Sequence, residues 1–359
     1  MHTPLPLRYL TLTILALPLF CLNVQAEDSL ESKYLSDIRQ VTSGMVKAGE
    51  GYFSPDGKQI VYQAVPQEYP FYQIYTQPLS GGRPELISTG RGRTTCAYFS
   101  PSGKKILFAS SHLDPMMEKT EAEEIAKQEE EKRSGTRRRY SWDFDPHTDI
   151  FEKDLKSGKL TQLTEAHGYD AEGAYSYDGK QIAFCSDRDG HADLFIMDAD
   201  GGNQKKLIGG PGYDGGPFIS PNGKWVVYRT DRGREEGYLQ IHVIRTDGTD
   251  DTALTDINGV NWAPYWHPTK PYIIWSGADH SRPGRPNYNL WLMKYEESDK
   301  GIKKLKTWQI TDSSSADVLP VFSPDGTKLM WTSTRSEDGS SQLFIADFQL
   351  PEDEEKDQE

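Results

Sequence analysis

The sequence predicts an all-β fold, a six-bladed propeller of four-stranded blades, and three observations predict it. First, a hairpin phrase recurs six times: YFSPDGKQIVY, YFSPSGKKILF, AYSYDGKQIAF, FISPNGKWVVY and VFSPDGTKLMW centre on Pro55, Pro101, Tyr177, Pro221 and Pro324, and a degenerate YWHPTKPYIIW centres on Pro268. Second, a strand that the last copy lacks is found ahead of the first copy. Third, 19 Tyr, 13 Phe and 8 Trp alongside 32 Gly and 22 Pro describe short aromatic-rich strands divided by tight turns.

The phrase is a hairpin for a physical reason. Pro presets φ for the first central position of a turn, Asp, Asn or Ser suits the next, and Gly closes it without a Cβ clash. Apolar alternation after the Gly, as in Ile60 and Tyr62 or Ile182 and Phe184, gives the outgoing strand a buried face. A third strand follows in each repeat (QIYTQPL, DIFEKDL, DLFIMDA, LQIHVIR, NLWLMKY, QLFIADF), and a fourth ends in phrases such as Gln162 to Thr164, Ala253 to Thr255 and Gln309 to Thr311. After Phe348 no fourth strand remains. Ile38 to Thr42 matches it, so the N-terminal strand is expected to complete the last blade, which removes exposed edges.

The chain divides accordingly. Residues 1–26 read as a signal peptide, with Arg8 ahead of an apolar run from Tyr9 to Leu22 and a small-residue cleavage site at Val24 to Ala26; a membrane anchor is the alternative, against which Pro18 and the short run count. A short segment 27–35 leads into the propeller, 36–349, and 350–359 is an acidic tail expected to be solvated and disordered. The wide interval between Pro101 and Tyr177 marks an insertion in blade two, 113–148, which opens with a charged helical pattern and closes on RRRYSWDFDPH. The net charge of −14 makes nucleic acid a poor partner, and no segment after the leader is apolar enough to span a bilayer. Cys96 and Cys185, all that remains after cleavage, are too few for a disulfide framework and read as buried small residues.

These in-phase copies resemble the Pro-Asp repeat of the TolB-like family of exported, WD40-like β-propellers, over roughly residues 36 to 348. The resemblance implies a periplasmic or secreted protein that binds an envelope partner, a monomer here, without the separate domain that precedes the propeller in TolB. The same kind of propeller precedes the hydrolase domain of prolyl oligopeptidase-like enzymes, but the chain carries no G-x-S-x-G elbow.

Used as a ruler, the turn exposes candidate site residues. Seven places before each turn centre stand Ala48, Thr94, Asp170, Asp214, Asn261 and Asp317; two places nearer stand Glu50, Cys96, Glu172, Gly216, Ala263 and Leu319. Strand alternation puts both sets on one side of the innermost strand. The expectation is an acidic ring at the mouth of the central channel, with Glu50 and Glu172 one layer deeper; capping of loops by these Asp residues is the alternative. Such carboxylates have the chemistry to hold Ca²⁺, although no contiguous calcium loop is present and no cofactor is required. Arg188, Arg232, Arg282 and Arg285 lie in loops of the same face, where they complement ligand carboxylates or are simply solvated. Trp142 and Phe144 in the insertion and Trp262 beside the ring are aromatic anchors of the kind that dominate interfaces. His191 and His280 are the only histidines placed for catalysis. The leading expectation is therefore a non-enzymatic module that binds a protein segment or a glycan at this mouth. The alternative is a glycan lyase or hydrolase acting there.

Overall fold

The computed structural model describes residues 29–136, 144–281, 284 and 286–352. The leader, Trp142, Arg282, Arg285 and most of the acidic tail lie outside these residues. Six antiparallel four-stranded sheets are arranged as blades. After a 3-10 turn at Glu31–Lys33 comes β1 (Leu35–Gln40), and blade one follows as β2 (Lys47–Phe53), β3 (Gln59–Val65), β4 (Gln73–Pro78) and β5 (Glu85–Leu86). Blade two is β6 (Thr94–Phe99), β7 (Lys105–Ser110), β8 (Asp149–Asp154) and β9 (Leu160–Gln162); blade three is β10 (Asp170–Tyr175), β11 (Gln181–Ser186), β12 (Asp193–Asp198) and β13 (Lys205–Ile208). Blade four comprises β14 (Asp214–Ile219), β15 (Trp225–Thr230), β16 (Gln240–Arg245) and β17 (Thr252–Ala253), and blade five β18 (Gly259–Trp266), β19 (Tyr272–Asp279), β20 (Asn289–Ser298) and β21 (Gly301–Gln309). Blade six takes β22 (Asp317–Phe322), β23 (Lys328–Ser333) and β24 (Gln342–Phe348) from the C-terminal end and β1 from the other, as the repeat pattern predicts. Leu35 pairs with Phe348 and Gln40 with Phe344.

The turns hold themselves by the chemistry that the phrase implies. Ser54 Oγ donates to Asp56 Oδ1 (2.6 Å) while accepting from the Gln59 amide (2.9 Å), and Gly57 supplies φ +69°. Ser176 with Asp178, Ser220 with Asn222 and Ser323 with Asp325 repeat the arrangement. In the degenerate copy His267 takes the acceptor role, its Nδ1 receiving the Thr269 and Lys270 amides at 3.2 and 3.1 Å, and burial lowers its pKa to about 4. Neighbouring turns also abut: a Cβ on Gly179 would lie 3.5 Å from Pro101, and one on Gly57 3.9 Å from Pro324. The turn phrase thus forms a girdle that runs round one face of the ring.

Between blades the core is apolar, with Trp225, Trp266, Trp331, Tyr62 and Phe184 fully enclosed. Cys96 and Cys185 are buried free thiols. The insertion forms α1 (Met117–Ser134), ended by Gly135 in the left-handed conformation at φ +69°. Its inward stripe is mostly polar: below buried Met117, Glu121 accepts from Tyr69 Oη (2.5 Å) and pairs with Arg91 (3.5 Å), and Gln128 donates to the Pro70 carbonyl (3.2 Å). The helix therefore rests on the β3–β4 loop of blade one. No described helix is long and apolar enough to cross a membrane.

The N-terminal strand is held in place from both ends, because Glu31 forms a two-point pair with Arg335 (2.9 and 2.7 Å) before β1 enters the sheet and Thr42 Oγ1 accepts from the Leu343 amide (2.9 Å) after it. A chain that lacks residues 29–42 is expected to melt well below the full chain and to self-associate through the bare edge of β24. Calorimetry and size-exclusion chromatography check this, and an unchanged melting temperature would show that closure contributes little.

Candidate binding site in the central channel

The innermost strands β2, β6, β10, β14, β18 and β22 face the axis, and each carries a bulge where its register with the next strand slips. At the bulge stands a residue with positive φ: Glu50 (46°), Cys96 (54°), Glu172 (57°), Gly216 (60°), Ala263 (53°) and Leu319 (57°). For the five that are not glycine this conformation costs about 1 kcal/mol or more each. Three of the bulge amides are turned towards the preceding blade, where Thr332 Oγ1 accepts from Glu50 N (2.9 Å), Ser276 Oγ from Leu319 N (2.9 Å) and Glu172 Oε2 from Gly216 N (2.6 Å).

The bulge corrects the sequence expectation that both residue sets lie on one side of the strand. Alternation holds only in a regular strand, and an extra residue re-aims every side chain past it. Asp170, Asp214 and Asp317 are accordingly fully enclosed, and Thr94 and Asn261 nearly so, beneath the loops instead of along the mouth. Each Asp is held by the Arg that follows its partner strand by two residues. Arg188 reaches Asp170 at 2.8 Å, Arg232 reaches Asp214 at 2.8 Å, and Arg335 grips Asp317 at 3.0 and 2.6 Å, with Trp331 Nε1 and Ser333 Oγ adding bonds of 3.0 and 2.7 Å. Arg188 further stacks on Phe195 (4.8 Å). Burial raises the Asp170 and Asp214 carboxyls, opposed by hydrogen bonds and by their Arg partners. Blades two and five use neutral groups at this level: His112 Nδ1 meets Ser110 Oγ (3.0 Å) beside Thr94, and Asn261 joins Trp275 Nε1 (2.7 Å) to Gln240 (2.9 Å). The Asp–Arg pairs tie the inner strands of blades three, four and six to their own loops, and Asn261 links blade five to Gln240 of blade four.

The bulge residues instead line a cavity of about 490 Å³, together with Tyr52, Tyr72, Tyr98, Phe144, Tyr213, Arg229 and Trp262. Its floor is aromatic. Tyr52 of blade one meets Phe218 of blade four across the axis at 5.8 Å, and Tyr98 Oη of blade two meets Tyr265 Oη of blade five at 2.9 Å. Rings that touch from opposite blades fill the channel. Above them Glu172 receives Arg229 Nη2 (2.7 Å), Tyr213 Oη (2.8 and 2.7 Å) and the Gly216 amide (2.6 Å), while the Arg229 guanidinium lies 5.3 Å from the Tyr213 ring centre and 5.8 Å from that of Trp262. Phe144 covers the rim, edge-on to Tyr169 (5.1 Å) and Tyr213 (6.2 Å). Glu50 makes no ion pair among the described residues; its contacts are Tyr52 Oη at 3.4 Å and the Cys96 thiol. Burial, then the Glu172 charge, raise its pKa from 4.5 to about 7.

The structure thus brings Glu50, Glu172 and Trp262 together and leaves Asp170, Asp214, Asp317, Asn261 and Thr94 outside the cavity lining. His191 and His280 do not line it either. Arg229 and Tyr213 were missed by sequence reasoning. A signal existed for the first, since Arg229 interrupts the apolar run of β15 in the register where other blades place Gln63, Ala109, Cys185, Ser276 and Thr332. No group of three His, Cys, Asp or Glu converges as a metal site among the described residues. Glu172 already has its oxygens occupied and a guanidinium stands beside it, so the donor set does not fit Ca²⁺, which takes six or more oxygens.

The TolB beta propeller domain family matches residues 134–284. Among solved structures, a candidate TolB from Agrobacterium tumefaciens is similar at 20% identity over 87% of this chain and 97% of that one, with a TM-score of 0.55. TolB from Acinetobacter baumannii is similar at 17% identity over 85% of this chain and 65% of its own, with a TM-score of 0.51. Hydrazine synthase of Kuenenia stuttgartiensis is similar at 13% identity over 79% of this chain and 41% of that chain, with a TM-score of 0.54. At these identities the likeness shows the fold alone.

Two outcomes test the electrostatics of the cavity. Arg229→Met strands a buried Glu172 and is expected to cost about 3–5 kcal/mol in urea unfolding, part of which Glu172→Gln in the same chain restores. The folded state holds the Glu50 proton more tightly than the unfolded chain does. Its contribution therefore favours folding fully below about pH 4.5 and is lost as the pH rises through about 7. Glu50→Gln is expected to be more stable than wild type at pH 8 by up to roughly 3 kcal/mol, the gap closing towards pH 4.5. Melting curves across that range check it, and a constant gap would place Glu50 in ordinary solvent.

Proposed function

We propose that this six-bladed propeller, residues 134–284 of which match the TolB beta propeller domain family, serves as an exported, non-enzymatic recognition module that takes a segment of an envelope protein into its channel mouth. The observation that carries the reading is the blind cavity: a floor of opposed aromatic rings, two carboxylates above it, and a rim of Trp262, Tyr213 and Phe144. Aromatic side chains around a pocket are common anchors of protein recognition, and a rigid ring places them with little ordering cost on binding.

A glycan lyase or hydrolase in the same mouth is the second reading. A carboxyl that titrates near neutrality beside a second carboxylate is an acid–base arrangement, and Glu50 with Glu172 offers one. Against it stands Glu172, whose acceptor capacity is taken by Arg229, Tyr213 and the Gly216 amide. Photo-crosslinking from a residue introduced at the rim, in envelope extract, separates the readings. Protein adducts that vanish in Trp262→Ala with Phe144→Ala, at an unchanged melting temperature, support recognition. Adducts that persist in that variant reject the mouth, and turnover of envelope glycans lost in Glu50→Gln replaces the module with an enzyme.

A further inference from the structure

Four carboxylates line the cavity; Glu236 is exposed, and two of the other three are satisfied. Glu172 has its Arg, Tyr and amide donors, and Asp231 accepts from the Tyr213 amide (2.7 Å) and the Gly237 amide (2.8 Å). Glu50 keeps acceptor capacity, since one oxygen has a long contact to Tyr52 and the Cys96 thiol is its other donor. We propose that the deep end of the cavity is a subsite for a primary ammonium, the tip of a lysine side chain on the captured segment, seated against Glu50. The inference rests on the recognition reading above and names the anchor residue of the segment.

The geometry favours lysine over other cations. The floor is closed, so a ligand must enter end-on from the rim, and a thin unbranched stem fits that path. Aromatic faces of Tyr52, Tyr98 and Trp262 line the cavity and suit both methylenes and a positive tip. A guanidinium seeks a two-point grip on a carboxylate, and Glu50 has Tyr52 and Cys96 on its flank, whereas an ammonium is a compact charge that needs a single face. The groups that face Glu50 are Tyr52 from its own strand, Cys96 from blade two, Glu172 from blade three and Arg229 from blade four; Asp231 and Glu236 also line the cavity. Arg229 already neutralises Glu172. An arriving ammonium therefore finds one site to charge, Glu50, whose carboxylic acid loses its proton to solvent as the ion pair forms.

The probes are N-acetyl-lysine N-methylamide, its uncharged norleucine counterpart and free n-butylammonium, titrated calorimetrically at pH 7 in phosphate and in Tris. The lysine amide is expected to bind at least tenfold more tightly than the norleucine amide. Binding should release roughly half a proton, read from the difference in heat between the two buffers, because Glu50 is about half protonated there. Glu50→Gln should weaken the lysine probe about tenfold or more and abolish the release. Equal binding of lysine and norleucine amides, or wild-type affinity in Glu50→Gln, overturns the subsite. Butylammonium binding as tightly as the lysine amide replaces the peptide source with free amines. The two readings fail separately: envelope adducts that depend on Trp262 and Phe144 but not on Glu50 sink only the subsite, whereas adducts that ignore Trp262 and Phe144 sink the mouth itself.

Discussion

Six strands that converge on one axis must fit their side chains into a narrow space, and the left-handed bulge in each inner strand is how this chain meets that constraint. Where the backbone comes closest it is also stripped of side chains. A Cβ on Gly173 would sit 2.8 Å from Leu107 Cδ2, and Gly51 is hemmed in by Leu343 and Met330 of the neighbouring blade. The strain at Glu50, Cys96, Glu172, Ala263 and Leu319 amounts to several kcal/mol on general grounds, and the interlocked blades on either side hold it in place. Those same residues line the cavity. The strained backbone and the cavity wall are one feature.

Charge is distributed in two storeys around this constraint. In the upper one, Asp170, Asp214 and Asp317 are each matched by an Arg within hydrogen-bonding distance, so buried charge is cancelled where it is introduced. In the lower one the cancellation is incomplete. Glu172 and Arg229 form a neutral pair, and Glu50 is left to relieve its burial by holding a proton. A group that stays neutral only by protonation is a poor structural element, and this one stands in the wall of the cavity.

Much of the fold was legible because the turn chemistry is local. Ser54, Asp56 and Gly57 determine their hairpin within four residues, so a repeat of them counts blades, and the orphaned fourth strand at Ile38 to Thr42 dictates closure. The charged pattern before Arg133 likewise foretold α1. The site was legible only in part, because period-two alternation carries no mark of a bulge at Glu50 or Glu172: neither residue is one that advertises positive φ. The ruler therefore found six positions that line the cavity, while Asp170, Asp214 and Asp317, expected at the mouth or as loop caps, are enclosed beneath the loops. Arg229 escaped for another reason. Its importance arises from Glu172 of the preceding blade, a contact between residues far apart in sequence that no local pattern encodes.

The four rings that meet on the axis make the propeller a cup and not a pipe. Whatever enters must leave by the way it came. The girdle face below is insulated from that traffic by Tyr52, Tyr98, Phe218 and Tyr265. Each side of the disc is then free to acquire a partner of its own, and substitutions on one side need not be tuned to the other.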